Sequence, residues 1–180
     1  MTNAHRRKKN PELVRMQLIQ SARKLALENG LGSVGVDAVA TDAGVTKGGL
    51  FHHFPSKQAL IDAVFEHMLD EFGADLDARM ADDPEPYGRF TRAYVLSVFE
   101  VGADAQWGPL WMATLTDPQL RQMWGTWFNA QVAKSEEYDL PLENARFAAD
   151  GIWLGHMFSV VPHDADSFRH HLIDMTRLSA

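Results

Sequence analysis

Apolar residues along this chain recur at spacings of three and four, and no segment alternates apolar and polar for long. Val14, Leu18, Ala22, Leu25 and Ala26 fall at helical spacing after Asn10-Pro11, a cap and first-turn pair, and before Asn29-Gly30, a stop signal. A short second helix is predicted over Val36 to Ala43, with Gly35 as a weak cap, and a third between Thr46, its cap, and Pro55. Ser56 caps a long fourth helix whose Leu60, Ile61, Val64, Phe65, Met68, Leu69 and Phe72 form one apolar face. Asp82-Asp83-Pro84-Glu85-Pro86 breaks the chain. Beyond it, Tyr87, Phe90, Tyr94, Val98 and Val101 mark a fifth helix, and Gly108-Pro109 opens a short sixth. Asp117-Pro118 starts a seventh through Leu120, Trp124, Trp127 and Val132; Pro141 precedes an eighth; Asp164 or Asp166 starts a ninth through Phe168, Leu172 and Met175. The predicted fold is all-α with about nine helices, and no internal repeat or low-complexity segment interrupts it.

The first three helices have the proportions of a helix-turn-helix with a supporting helix in front. Gly44 supplies the positive φ that such a turn needs, and the small Ala40 and Ala43 let the two helices cross closely. The third helix would then present its N-terminal residues to a major groove. Thr46 and the amides behind it suit a phosphate, Lys47 a phosphate or a guanine edge, and Gly48-Gly49 allow close backbone approach. Lys57, at the start of the fourth helix, is placed for a flanking phosphate, and His52 reads as a phosphate or base contact.

Charge sharpens this reading. The chain of 180 residues has formal charge -7, which by itself argues against nucleic acid. Residues 1–60, however, hold nine Lys/Arg against four Asp/Glu, and residues 61–180 hold eight against twenty. No carboxylate lies between Asp42 and Asp62. A basic module stripped of acids inside an acidic protein is what a phosphate backbone selects. The chain has no cysteine, which excludes disulfides and thiolate metal sites. No apolar run approaches the roughly 18 residues that span a bilayer, and the basic start lacks the apolar core of a secretory signal. A cytoplasmic protein without a membrane partner is expected.

Residues 12–72 resemble the N-terminal domain of the TetR family of bacterial repressors. The likeness runs through LALENG, AGVTKGGLFHHF and PSKQAL, in that order and at family spacing. It implies a homodimer whose two recognition helices enter successive major grooves of a palindromic double-stranded DNA operator, and a C-terminal helical domain that binds a small-molecule effector and dimerises. It places Thr46, Lys47, Gly48, Gly49, Phe51, His52 and Lys57 where DNA contacts are made. Residues 1–58, with a basic arm over 1–10, would form the DNA-binding domain, and 59–180 the ligand-binding and dimerisation domain. Two departures stand out: Phe51 replaces a usual tyrosine, and Gly48-Gly49 weaken a short helix by roughly 1 kcal/mol each relative to alanine.

All five tryptophans follow residue 100. Trp107, Trp111, Met112, Trp124, Trp127, Phe128 and Trp153 are candidates for an apolar ligand pocket, with Asp104, Gln106, Thr114, Asn129 and His156 as polar partners nearby in sequence. Core and dimer interface compete for the same aromatics. Ala145, Ala148, Ala149, Gly151 and Gly155 are small enough to admit a second helix, with Ile152 and Phe158 filling the space. Paired with the ninth helix through Phe168 and Leu172, they would make a four-helix dimer interface.

Other patterns are weaker. Gly30-Leu31-Gly32-Ser33-Val34-Gly35 matches GxGxxG but follows a helix rather than a strand, so it reads as a loop. Arg6-Arg7-Lys8-Lys9 reads as a minor-groove arm or a solubilising tail. His52-His53 and His170-His171 point about 100° apart and do not share a metal ion easily. No metal, cofactor or enzymatic activity is expected; an all-α enzyme would leave the carboxylate-free stretch unexplained. The expected function is a ligand-released repressor, with a constitutive DNA-binding regulator lacking any effector as the alternative.

Overall fold

In the computed structural model, which describes residues 10–31, 34–103 and 108–178, nine α-helices and no strand occur among the described residues. They are α1 Pro11–Asn29, α2 Val36–Asp42, α3 Lys47–His53, α4 Lys57–Asp82, α5 Arg89–Ala103, α6 Gly108–Thr116, α7 Pro118–Ser135, α8 Leu140–Met157 and α9 Ala165–Met175. Local hydrogen bonds explain most starts. Asn10 Oδ1 accepts from the Glu12 amide at 3.2 Å, Thr46 Oγ1 from Gly49 at 3.0 Å and Ser56 Oγ from Ala59 at 3.0 Å. Asp117 Oδ1 accepts from Gln119 at 2.8 Å, and Asp164, not Asp166, caps α9 by accepting from Ser167 at 2.9 Å. Each satisfies an amide that a helix start leaves unpaired. Pro141 sits inside the first turn of α8, where its missing N–H costs nothing.

Contacts divide the chain into two compact units, Met1–His67 and Met68–Ala180, with the division inside α4. In the first, Leu18, Ile19, Ala22 and Ala26 of α1 are buried, as are Val39 and Ala40 of α2, Leu50 of α3, and Leu60 and Val64 of α4. Gly44, at φ 66°, turns the chain from α2 into α3, and the Val45 amide closes the turn on the Ala40 carbonyl at 2.9 Å. Lys24 of α1 reaches Asp42 at the end of α2 at 2.7 Å, and the Arg15 guanidinium lies over the Phe54 ring at 5.0 Å.

The second unit is built around α5. Phe90, Tyr94, Val95 and Val98 of this helix are buried with Leu76, Val132, Ala145, Ala149 and Leu172. A buried polar clamp holds the start of α5. Glu137, from the α7–α8 turn, accepts from the Phe90 amide at 2.8 Å, the Thr91 amide at 2.9 Å and the Thr91 hydroxyl at 2.6 Å. Arg146 closes it from α8, donating to Thr91 Oγ1 at 2.5 Å and the Glu137 carbonyl at 2.9 Å. Arg92 ties the break before α5 to the end of α9, donating to Asp83 Oδ2 at 2.6 Å and the Thr176 carbonyl at 2.8 Å.

The packing of α8 shows how much of the expected dimer face the single chain already uses. Ala145, Ala149, Ile152 and Leu172 are buried within the single chain, and Ala148 and Phe168 pack against the same core. Ala145 and Ala149, fully buried, let α5 approach α8 closely. Gly155 is small for another local reason: a Cβ there would strike the Val160 carbonyl, where the chain folds back after α8. Of the residues expected at the interface, Gly151 and Phe158 are exposed, Phe158 at 68%.

Candidate functional site

In the first unit, Thr46, Lys47, Gly48, Phe51 and His52 are exposed, Gly49 is half-buried, and Lys57 is exposed at the start of α4. Lys47 and Phe51 are one turn apart, as are Gly48 and His52, so these four form one continuous surface. Leu50 and Phe54 face the other way and anchor that surface in the core. Phe51 is 40% exposed, a large ring in the middle of a polar face. His52 and His53 meet edge to face, with ring centroids 5.6 Å apart.

One neighbour was not legible in the sequence. Lys47 Nζ donates to Asp37 Oδ2 of α2 at 3.1 Å, with both side chains exposed. A solvated pair of this kind is worth at most about 1 kcal/mol, so it gives way readily to a phosphate. The basic arm at Arg6 to Lys9 and the loop residues Gly32 and Ser33 lie outside the described residues.

The two glycines of α3 differ in their surroundings. Nothing lies within 4 Å of a Cβ placed on Gly48, whereas one on Gly49 would sit 3.2 Å from Thr46 Oγ1, the capping oxygen. Gly48→Ala should therefore firm the helix by about 0.5–1 kcal/mol, and Gly49→Ala should gain less or lose. Hydrogen exchange at the α3 amides checks this, and equal slowing in both variants would count against it.

In the second unit, a cavity of about 320 Å³ opens among α4 to α8. It is lined by Phe72, Tyr94, Val98, Trp111, Thr114, Leu115, Arg121, Trp124, Asp150, Trp153 and Leu154. Three expected tryptophans, Trp111, Trp124 and Trp153, are therefore on its wall, and so is Thr114. Trp127 and Phe128 stand behind that wall: Trp127 stacks on Trp124 at 5.3 Å, and Phe128 packs on Tyr94 at 5.2 Å. Met112 turns outward and is 43% exposed, and Asn129 and His156 are exposed. Trp107, Asp104 and Gln106 lie outside the described residues.

Sequence reasoning missed Phe72, Tyr94 and Asp150, which come from three separate helices. Asp150 carried one weak signal: it is one turn from Arg146 on one side and from Trp153 and Leu154 on the other. The Tyr94 hydroxyl donates to Asp150 Oδ1. Burial pushes the Asp150 carboxyl above the usual aspartate range, and the Tyr94 hydrogen bond and the Arg146 charge only partly offset this. Tyr94, buried beside that carboxylate, is itself held well above its ordinary range, chiefly by burial. The folded chain thus binds the Asp150 proton more tightly than the unfolded chain. This carboxyl stabilises the fold below the usual aspartate range, and the contribution is lost as pH rises through its raised pKa.

The outer face of α8 carries Phe147, Gly151, Leu154 and Phe158 at spacings of four, three and four. Phe147 is 69% exposed, and Val160 and Val161 continue the apolar surface beyond the helix. Among the described residues, no group of three or more His, Cys, Asp or Glu is arranged to hold a metal ion, and no helix is long and apolar enough to cross a membrane.

Comparison with known proteins gives one consistent answer. Residues 18–64 match the family described as bacterial regulatory proteins, tetR family, and residues 88–178 match the tetracyclin repressor-like C-terminal domain. The HTH-type transcriptional regulator BetI of Burkholderia cenocepacia is 29% identical, with 91% of this chain and 94% of the relative covered. BetI of Paraburkholderia phymatum is 30% identical, covering 85% and 86%. Among solved structures, the multidrug binding protein EbrR complexed with imidazole superposes with a TM-score of 0.69 at 22% identity, covering 95% and 93%. Further EbrR structures hold malachite green and ethidium. The transcriptional regulator SCO7518 from Streptomyces coelicolor A3(2) gives 0.73 at 19%, covering 92% and 99%.

Proposed function

The chain belongs to the TetR family of bacterial transcriptional regulators, and from that premise we propose that it acts as a homodimeric repressor released from a palindromic operator by a small lipophilic or aromatic effector. It is a DNA-binding regulator, not an enzyme. The observation that carries the effector reading is the aromatic-walled cavity of the second unit, which has the size and apolar lining of a small-molecule site. EbrR, of the same fold, is known with dyes bound. DNA reading is assigned to residues 1–58, through Thr46, Lys47, Gly48, Gly49, Phe51, His52 and Lys57. Ligand binding and dimerisation are assigned to 59–180, with the pairing surface on the exposed face of α8.

The proposed switch is a population shift. α4 is one unbroken helix that carries Lys57 at its start and Phe72 on the cavity wall. A ligand against Phe72 favours one position of that helix, and in a dimer this changes the spacing of the two α3 helices. A coupling of about 1–3 kcal/mol suffices for roughly 5- to 150-fold release.

Lys47→Ala tests the two halves separately. Operator affinity should fall by about 1–3 kcal/mol, while any compound that quenches tryptophan fluorescence keeps its affinity. Unchanged DNA binding would remove Lys47 from the contact surface. A quenching compound should also release the operator in a mobility-shift assay; quenching without release would favour a constitutive regulator.

A further inference from the structure

The effector cavity holds one feature that an apolar ligand does not explain. Asp150 is on its wall, and among the described residues no cation comes within ion-pair distance of that carboxylate. Arg146, one turn away, is committed to Glu137 and Thr91. The contact Asp150 does make is with the Tyr94 hydroxyl, a neutral donor. A carboxylate withdrawn from water with no ion-pair partner of its own, and only the Arg146 charge one turn away to offset it, is costly, and burial raising its pKa expresses that cost.

The rest of the wall is electron-rich. Trp111 stands edge-on to Trp124 at 4.9 Å and 80°, and to Trp153 at 6.4 Å and 77°; Phe72 closes on Trp111 at 5.9 Å. Rings set nearly perpendicular to one another form the corner of a box, and their faces attract positive charge. A neutral guest would bury the carboxylate further without compensation, and an anion would meet it directly. A cation with an apolar body satisfies both the rings and the acid.

Resting on the effector reading above, we propose that the cavity takes a monovalent, apolar organic cation, a quaternary ammonium or a delocalised aromatic cation, whose charge is balanced by Asp150 and boxed by Phe72, Trp111, Trp124 and Trp153. Tyr94 is a positioning residue that holds the carboxylate toward the ligand. Arg121 is the one cationic side chain on the described wall; it is exposed and donates to the Leu115 carbonyl at 3.2 Å, so water screens its charge. It disfavours a dication rather than a single charge.

The test uses three small probes on the full chain: phenyltrimethylammonium, its neutral isostere tert-butylbenzene, and benzenesulfonate. Calorimetry and tryptophan quenching should show the cation binding about tenfold or more tighter than the neutral isostere. In Asp150→Asn, which keeps the shape and an acceptor for Tyr94, the two affinities should converge. Equal binding of cation and isostere to the unaltered protein overturns the cation assignment while leaving the lipophilic cavity standing. Tightest binding of benzenesulfonate overturns it in favour of Arg121. A preference that survives Asp150→Asn removes the carboxylate's role. Should none of the three bind the folded protein, the effector cavity itself falls. The ratio measured on the unaltered protein decides the ligand class even if Asp150→Asn fails to fold.

Discussion

Phe147→Glu should yield a folded monomer that binds the operator at least about 100-fold more weakly. Phe147 is 69% exposed, Leu154 38% and Phe158 68%; they share one side of α8, from which Leu154 also reaches the cavity wall. A contiguous apolar surface of this kind on a regulator of this family calls for a partner, and a twofold-related copy of α8 presents the matching surface. A carboxylate at position 147 would be buried without a counter-charge against the apolar surface of the second copy. Operator affinity falls with the dimer because the second half-site contact becomes bimolecular again, and linkage of two sites is worth about 10² to 10⁴. Sedimentation at micromolar concentration reads the first effect and a mobility shift the second. Circular dichroism should be unchanged, since Phe147 contributes nothing to the buried core. A dimer that persists would move the interface off this face.

Glu137→Ala should cost the second unit about 3–5 kcal/mol, the range for stripping one partner from a buried charged pair. The Glu137 and Arg146 side chains are 9% and 6% exposed, so neither can turn to water. The substitution leaves the Arg146 charge uncompensated. It also orphans the amides of Phe90 and Thr91 at the start of α5, around which this unit's core is built. Glu137→Gln, which keeps an acceptor in place, should lose less. Denaturant unfolding followed by tryptophan emission measures both; a loss under 1 kcal/mol for the alanine variant would mean that water replaces the clamp.

The two halves of the molecule were legible to different degrees. The helix-turn-helix geometry was visible in the sequence almost complete. Thr46 caps α3, Gly44 turns the chain and Ser56 restarts it, and these interactions span only a few residues. The one neighbour missed, Asp37, comes from the preceding helix. In the second unit the pattern of aromatics was visible but its division was not. Trp124 and Trp127 are adjacent on α7, yet the first faces the cavity and the second backs it. Their fates depend on Phe72, 52 and 55 residues earlier in the chain. For α8, small residues marked the face of close approach, but nothing local says whether the approaching helix belongs to the same chain.

By itself, then, the sequence determined where helices begin and end, that residues 43–61 of the helix-turn-helix region carry no acid, and that every tryptophan follows residue 100. Those properties rest on backbone conformation and charge over a few neighbouring residues. Tertiary structure alone decided that α5 covers the small face of α8, leaving Phe147 outward. It alone brought Tyr94 and Asp150 together, 56 residues apart. Burial and pairing of a side chain are set by which distant helix packs on it, and a helical repeat specifies a face without specifying its partner.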